Sequence, residues 1–284
     1  MPPKDGFARV NGLTLHYVDW GGDGPPLLLS HPTGFLARVW DPLAERLAER
    51  FHVVGYDVRG HGDSDKPEGG YSWQVLTSDL RGMLAALGLE GPVGMGHSAG
   101  ATALALLEAE HPGTFSRLVL IDPIIVSPAL QTGPGPGPQP NPMAERARKR
   151  RMVWDSLEEI RESYAGRPPF RTWRREFLEA YVEHGTRPLP DGRRELKCPG
   201  AVEAQMYQMV SGHRRDPLEA LGDVRCPVLL LAGETSDAFP PDRARRVAAA
   251  LPACRFVTVP GTTHFVPMER PEAVLDELDR FLSD

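Results

Sequence analysis

The chain of 284 residues is short of several things, and each shortage removes a class of explanation. It has three cysteines, Cys198, Cys226 and Cys254, none with metal-site spacing and too scattered for a disulfide framework. Ordinary thiols in a reducing cytoplasm are expected. No run of about 18 apolar residues is present, so no helical membrane span is expected. The opening MPPKDG lacks the apolar stretch of a secretory signal. Positive charge is not in excess: 32 Lys and Arg face 38 Asp and Glu, a net charge of −6, which excludes a global field drawing the chain to nucleic acid or anionic lipid. There is no internal repeat.

What is present suits a chain with a sizeable core: 41% of residues are hydrophobic and 25% charged. Asn11-Gly12, between FARV and LTLHYVDW, is a strong hairpin signal, because both residues tolerate the positive φ of a type I′ turn. Beyond it, apolar runs recur at 26–29, 52–56, 92–95, 118–121, 228–231 and 255–259. Their near-continuous apolarity suits strands covered on both faces. Helix-like patterns at 41–50, 72–87, 99–110, 242–251 and 271–282 alternate with them, which predicts a doubly wound, mostly parallel α/β sheet.

The alternation breaks from about Pro123 to Leu221. A Pro/Gly-rich stretch, TGPGPGPQPNP, can form neither helix nor central strand and is a candidate hinge or exposed loop. Helix-like segments follow at 143–163 and 171–185, carrying Trp154, Phe170, Trp173, Phe177 and Tyr181. Most of these aromatics are expected to pack the segment onto the core, with one or two lining a pocket. The basic cluster 146–151 is read as a solvated helix face, since acids follow it closely.

The sharpest chemical signal is Gly96-His97-Ser98-Ala99-Gly100, with a strand-like run before and a helical pattern after. A strand turning abruptly into a helix strains its middle residue, and small neighbours let the backbone pass. Ser98 would then project at the carboxyl edge of the sheet, beside a helix N-terminus able to stabilise an oxyanion. Serine is a weak nucleophile unless a base takes its proton. Of nine histidines, His264 lies between the last strand-like run and the final helix, where it can reach that edge. His16, His52 and His111 read as structural, and His97 as locked in the turn.

HPTGF (31–35), YDVRGHGDSDKP (56–67), GHSAG, RLVLID (117–122), GETSD and GTTHFVPMERPE together resemble the α/β-hydrolase fold superfamily. The resemblance covers nearly all of the chain outside 123–221. It implies an α/β-hydrolase core formed by 1–122 and 222–284, with a helical cap at 123–221 inserted after the sixth strand. It also implies a triad in the order serine, acid, histidine. The oxyanion donors it implies are the N–H groups of Ala99 and Thr33; Pro32, which stands where relatives have glycine, has no N–H to give. Among the acids, Asp242 has a helix-dipole explanation, and Glu234 abuts the strand end. Asp237 is short, lies on the loop and matches the family's acid position, so it is the expected triad acid, with Asp122 next and Glu234 third.

The expectation is a cofactor-free serine hydrolase, carboxylesterase-like, that cleaves small to medium apolar esters without a metal. Asp57, Arg59, Asp63 and Asp65 read as a structural turn with Gly60 and Gly62, not a metal site. C–C bond hydrolysis, perhydrolysis and acyl transfer use the same triad and stay open. So does a non-catalytic ligand receptor of the same fold. The sequence does not specify the oligomeric state.

Overall fold

The computed structural model describes residues 2–127, 141–209 and 215–283. Six strands come first: β1 (Lys4–Val10), β2 (Leu13–Gly21), β3 (Pro26–Ser30), β4 (His52–Tyr56), β5 (Val93–His97) and β6 (Arg117–Ile121). Three short strands, β7 (Val153–Trp154), β8 (Thr186–Pro188) and β9 (Arg194–Leu196), form a separate antiparallel sheet. Then β10 (Val228–Gly233) and β11 (Cys254–Val259) complete an eight-stranded sheet of order β1-β2-β4-β3-β5-β6-β10-β11. Every pair from β4 onward in that order is parallel, while β1 and β2 form the expected hairpin, with Asn11 at φ 50° and Gly12 at φ 80°.

Strand alternation divides the apolar residues between two layers. Leu27, Leu29, Met95, Val119, Ile121, Leu229 and Leu231 face α1 (Asp41–Leu47) and α11 (Pro271–Ser283). Leu28, Leu118, Leu120, Val228 and Leu230 face α2 (Trp73–Leu87), α3 (Ala99–Glu110) and α9 (Pro241–Ala250). This explains why the parallel strands lack polar alternation: both faces are covered. Helix ends follow local chemistry. The Ser72 hydroxyl accepts from the N–H of Val75 at the start of α2, and Gly88, at φ 63°, ends it.

Between β6 and β10 the chain leaves the main sheet. It forms α4 (Pro142–Arg148), β7, α5 (Leu157–Ala165), α6 (Arg175–His184), β8, β9, α7 (Gly200–Gln208) and α8 (Pro217–Ala220). The helix expected over 143–163 is broken in two, because the Ser156 hydroxyl caps a new helix by accepting from Glu159 N and β7 takes the intervening residues. Trp154 therefore sits on a strand. The proposed hinge in the Pro/Gly stretch lies outside the described residues, apart from Asn141 and Pro142 at its end.

The turn after β4 is a rigid platform. Asp57, fully buried, accepts from His16 Nδ1 (2.7 Å), Ala37 N (2.7 Å) and Asp63 N (2.8 Å). Burial works against its charge, but the His16 hydrogen bond and the nearby imidazoles hold the Asp57 carboxyl well below the usual range. Arg59 clamps Asp79 through Nε (2.5 Å) and an amino group (2.8 Å), and Asp65 accepts from Thr14 N (2.7 Å). Gly62, at φ 47°, has no room for a Cβ, which would lie 1.9 Å from an Asp57 oxygen. His61 then reaches the loop after β3: its Nε2 accepts from Gly34 N (3.0 Å) while Nδ1 donates to the Arg59 carbonyl (3.0 Å). Beside it, His31 Nε2 accepts from Val58 N (3.0 Å) and Nδ1 donates to the Pro32 carbonyl (2.9 Å). Both rings must be neutral to accept. Burial, and then the repulsion that a protonated His61 would meet from a protonated His31, pushes the His61 pKa down to about 3 from 6.5.

Between those two values an unfolded chain binds the proton that the folded chain refuses. Stability from His61 is thus complete above pH 6.5 and falls as pH drops toward about 3. His61→Gln should flatten the fall in urea-unfolding free energy across that window by up to ~1.4 kcal/mol per pH unit. Identical slopes for the two proteins would refute this account of the platform.

Candidate active site

At the end of β5 the chain turns into α3 through Ser98, whose φ of 56° and ψ of −120° lie outside the ordinary regions for a side-chain-bearing residue. Its neighbours explain how the turn is tolerated. A Cβ at Gly96 would come within 2.7 Å of Ala101 N, and one at Gly100 within 2.3 Å of the Ser30 carbonyl oxygen. Ser98 N donates to Ile121 O on the adjacent β6 (2.9 Å), tying the turn to the sheet edge. Ser98 is buried as a residue, and its hydroxyl has no protein hydrogen-bond partner among the described residues.

Asp122 follows β6 directly, at φ 47°, a left-handed conformation that aspartate tolerates better than most residues. Its fully buried carboxylate accepts from His264 Nδ1 (2.6 Å) and Ser236 Oγ (2.7 Å) through Oδ1, and from Gly233 N (2.9 Å) through Oδ2. His264 comes from the loop after β11. That loop lies against the end of β10, where a Cβ on Gly233 would stand 1.9 Å from the Thr263 carbonyl oxygen. Glu269, from the following turn α10 (Val266–Glu269), braces the loop by accepting from Thr263 N (2.6 Å), Thr263 Oγ1 (2.8 Å) and Thr172 Oγ1 (2.5 Å).

The acid expected at Asp237 is therefore corrected: the carboxylate against His264 is Asp122. The loop after β10 turns tightly, with Ser236 N donating to Gly233 O and Thr235 N to Thr262 O. Ser236 points its hydroxyl inward to Asp122, which leaves Asp237 exposed and without a bond to His264. Glu234 is also exposed and accepts from Gly261 N (2.8 Å), and Asp242 pairs with Arg245 at the start of α9. The missed signal is position: a carboxylate ending the strand beside the nucleophile strand already lies at the edge, with no loop to cross.

His97 is fully buried in the turn. Burial, then the charge of His264, drives its pKa well below the ordinary value. The neutral ring donates from Nε2 to the His264 carbonyl (2.8 Å), and the two rings lie 4.8 Å apart. Thr33 and Ala99 line one small cavity with Ser30, His61 and Gly100, and neither N–H donates to a protein acceptor among the described residues. Aromatic rings roof the site. Phe35, two residues past Thr33, lies 5.3 Å from Trp173 and 4.8 Å from Tyr181 of the inserted segment, and Trp173 lies 5.2 Å from Phe265, next to His264. Trp154, Phe170 and Phe177 are buried too, in the same apolar layer.

One basic residue departs from the solvated face expected for 146–151. Arg148 and Arg151 pair at the surface with Glu145 and Glu159, but α4 ends before Arg150, whose side chain turns inward to Glu203 (2.7 Å) and Tyr181 Oη (2.5 Å).

Comparison with known proteins agrees with this architecture. Residues 27–277 match the model of the alpha/beta hydrolase family. The chain is 30% identical to 2-(acetamidomethylene)succinate hydrolase of Mesorhizobium japonicum, over 96% of this chain and 93% of that one. It is 26% identical to the bifunctional esterase/perhydrolase DCH of Acinetobacter calcoaceticus, over 96% and 97%. The crystal structure of an E-2-(acetamidomethylene)succinate hydrolase superposes with a TM-score of 0.85 at 26% identity, covering 99% of this chain and 100% of that one. With the strand order, the strained Ser98 turn and these matches together, the chain belongs to the alpha/beta hydrolase family.

Proposed function

We propose that the chain is a serine hydrolase that transfers the acyl group of small carboxylic esters to water through an acyl-enzyme, with Ser98, His264 and Asp122 as its triad. The observation that carries this reading is the 2.6 Å bond from His264 Nδ1 to the buried Asp122 carboxylate, set beside the strained turn of Ser98. A proton held on Nδ1 leaves the lone pair on Nε2, the atom that must take the Ser98 proton as Oγ attacks the acyl carbon. The imidazolium formed is steadied by Asp122. The N–H groups of Ala99 and Thr33, unengaged by protein, would receive the oxyanion. His264 next protonates the leaving group and then activates the water that frees the acid. Three donors, the His264 imidazole among them, replace for the Asp122 carboxylate the water lost by burial.

The inserted segment serves as the cap, and the aromatic roof of Phe35, Trp173, Tyr181 and Phe265 favours a short apolar acyl chain. A second reading extends the same chemistry to N-acyl compounds. It is supported by the near full-length likeness to a hydrolase whose name carries an acetamido group. The esterase/perhydrolase relative supports the ester reading.

Release of p-nitrophenol from p-nitrophenyl acetate should fall by about 10⁴-fold or more in Ser98→Ala; equal rates in both proteins would end the serine-hydrolase reading. Asp122→Asn should lose about 10⁴-fold in kcat, as expected when the acid no longer sets the imidazole tautomer. Asp237→Asn should remain near wild type, and the reverse pattern would restore the loop acid. Along a series of p-nitrophenyl esters, kcat/KM should be highest for acetyl and butyryl groups and drop for longer chains. Comparison of p-nitrophenyl acetate with p-nitroacetanilide decides between the two readings: measurable anilide cleavage lost in Ser98→Ala supports N-acyl hydrolysis, and cleavage of the ester alone rejects it.

A further inference from the structure

The buried polar group at the junction of cap and core has no assigned task. Arg150 sends one amino group to Glu203 Oε2 (2.7 Å) and the other to the hydroxyls of Tyr181 (2.5 Å) and Tyr164 (3.3 Å). Tyr207 Oη donates to Glu203 Oε1 (3.2 Å). The group is thus one cation and one anion with three phenols, all supplied by the cap. Its charge is balanced within itself, and that argues against a receptor waiting for a substrate anion.

Among the described residues, its polar contacts with the core fall on one residue, Gly34. Tyr181 Oη donates to the Gly34 carbonyl at 3.5 Å. The Glu203 carboxylate stands directly over the α-carbon, so that a Cβ on Gly34 would meet Oε1 at 2.8 Å. Gly34, at φ 86°, is the residue after Thr33, and His61 holds it from the other side through its N–H (3.0 Å). The peptide between Thr33 and Gly34 therefore lies in a loop gripped from below by the core imidazole and from above by the cap.

We infer that the Arg150–Glu203–Tyr181 network is a positioning device: it fixes the loop that presents the Thr33 N–H, so that the cap contributes to oxyanion stabilisation without touching substrate. The inference rests on the serine-hydrolase reading and assigns a new role to residues outside its triad. The physical reason is geometric. A hydrogen-bond donor stabilises a developing oxyanion only if it is aimed before the charge forms, and small misplacements are costly. Arg150 orients the Tyr181 hydroxyl as it donates to it, which leaves the phenolic proton to point at the Gly34 carbonyl. Glu203, held by Arg150 and Tyr207, blocks the space into which the loop would relax.

The experiment compares wild type with Tyr181→Phe, with the paired Arg150→Met/Glu203→Met, and with Tyr164→Phe, whose hydroxyl reaches Arg150 but not the loop. The paired change removes both charges together, because removing one would strand the other. Kinetics on p-nitrophenyl acetate are read with the inhibition constant of a small alkylboronic acid, which forms a tetrahedral adduct on the nucleophile, and with the melting temperature. Tyr181→Phe should lower kcat by about 10- to 100-fold with little change in KM, and boronate affinity should weaken in parallel. Its melting temperature should stay near wild type, and the paired variant should show the same kinetic pattern if it folds. Tyr164→Phe should behave as wild type. Unchanged kcat and boronate affinity in Tyr181→Phe would overturn the inference. So would an effect confined to KM for carboxylate-bearing esters, which would make Arg150 a direct substrate ligand. Loss of turnover in Ser98→Ala, measured alongside, tests the underlying reading separately.

Discussion

The structure depends on one buried carboxylate. Asp122 carries a charge where no water reaches it, and it is tolerable there only because Gly233 N, Ser236 Oγ and His264 Nδ1 all donate to it. Those donors come from the end of β10, the loop beyond it and the loop after β11. A single anion at the end of β6 thus collects two segments distant from it in sequence, residues 233–236 and the loop bearing His264, and holds them at the carboxyl edge of the sheet. Ser98 is drawn to the same place by its neighbour strand, through Ser98 N and Ile121 O. The proposed catalytic arrangement and the packing of the sheet edge are one set of bonds.

A second constraint operates across the site. The loop after β3 is held by two neutral imidazoles, His31 and His61, and meets Tyr181 of the inserted segment at the Gly34 carbonyl. Burial keeps the imidazoles neutral, and neutrality lets them accept backbone N–H groups. The sequence HPTGF thereby supplies a loop held through the Pro32 carbonyl and the Gly34 N–H, while the Thr33 N–H, the group proposed to meet substrate, donates to no protein acceptor among the described residues.

Much of this was legible in the residues. Outside 123–221 the strand runs and helices lie within a few residues of their observed bounds, because strands covered on both faces are apolar throughout and because Asn11-Gly12 and Gly88 punctuate the chain in their usual ways. Local context alone points to Ser98 and His264, and the structure brings His264 against His97, the neighbour of Ser98. Asp237 could not be distinguished from Asp122, since both are single acids near the ends of apolar strands. What separates them is the inward turn of Ser236 and the missing side chain of Gly233, and both are tertiary facts. Arg150 was unreadable for a similar reason. Within a run of basic residues nothing marks the one that follows the last turn of α4 and points inward to a glutamate 53 positions away.

Gly100 has a wider meaning than the passage of one helix. It presses against the Ser30 carbonyl, where even a methyl group would not fit. On one side of that contact lies Ala99 and on the other the segment leading to Thr33, so the contact acts as a spacer between the two proposed oxyanion donors. Its length is set by main-chain atoms in hard contact, the least compressible kind of ruler a protein has. The contact sets how closely the two proposed donors can approach, while the aim of the Thr33 N–H is left to the network proposed above. Under that proposal the inserted segment is free to diverge toward new acyl groups everywhere except at Arg150, Glu203 and Tyr181.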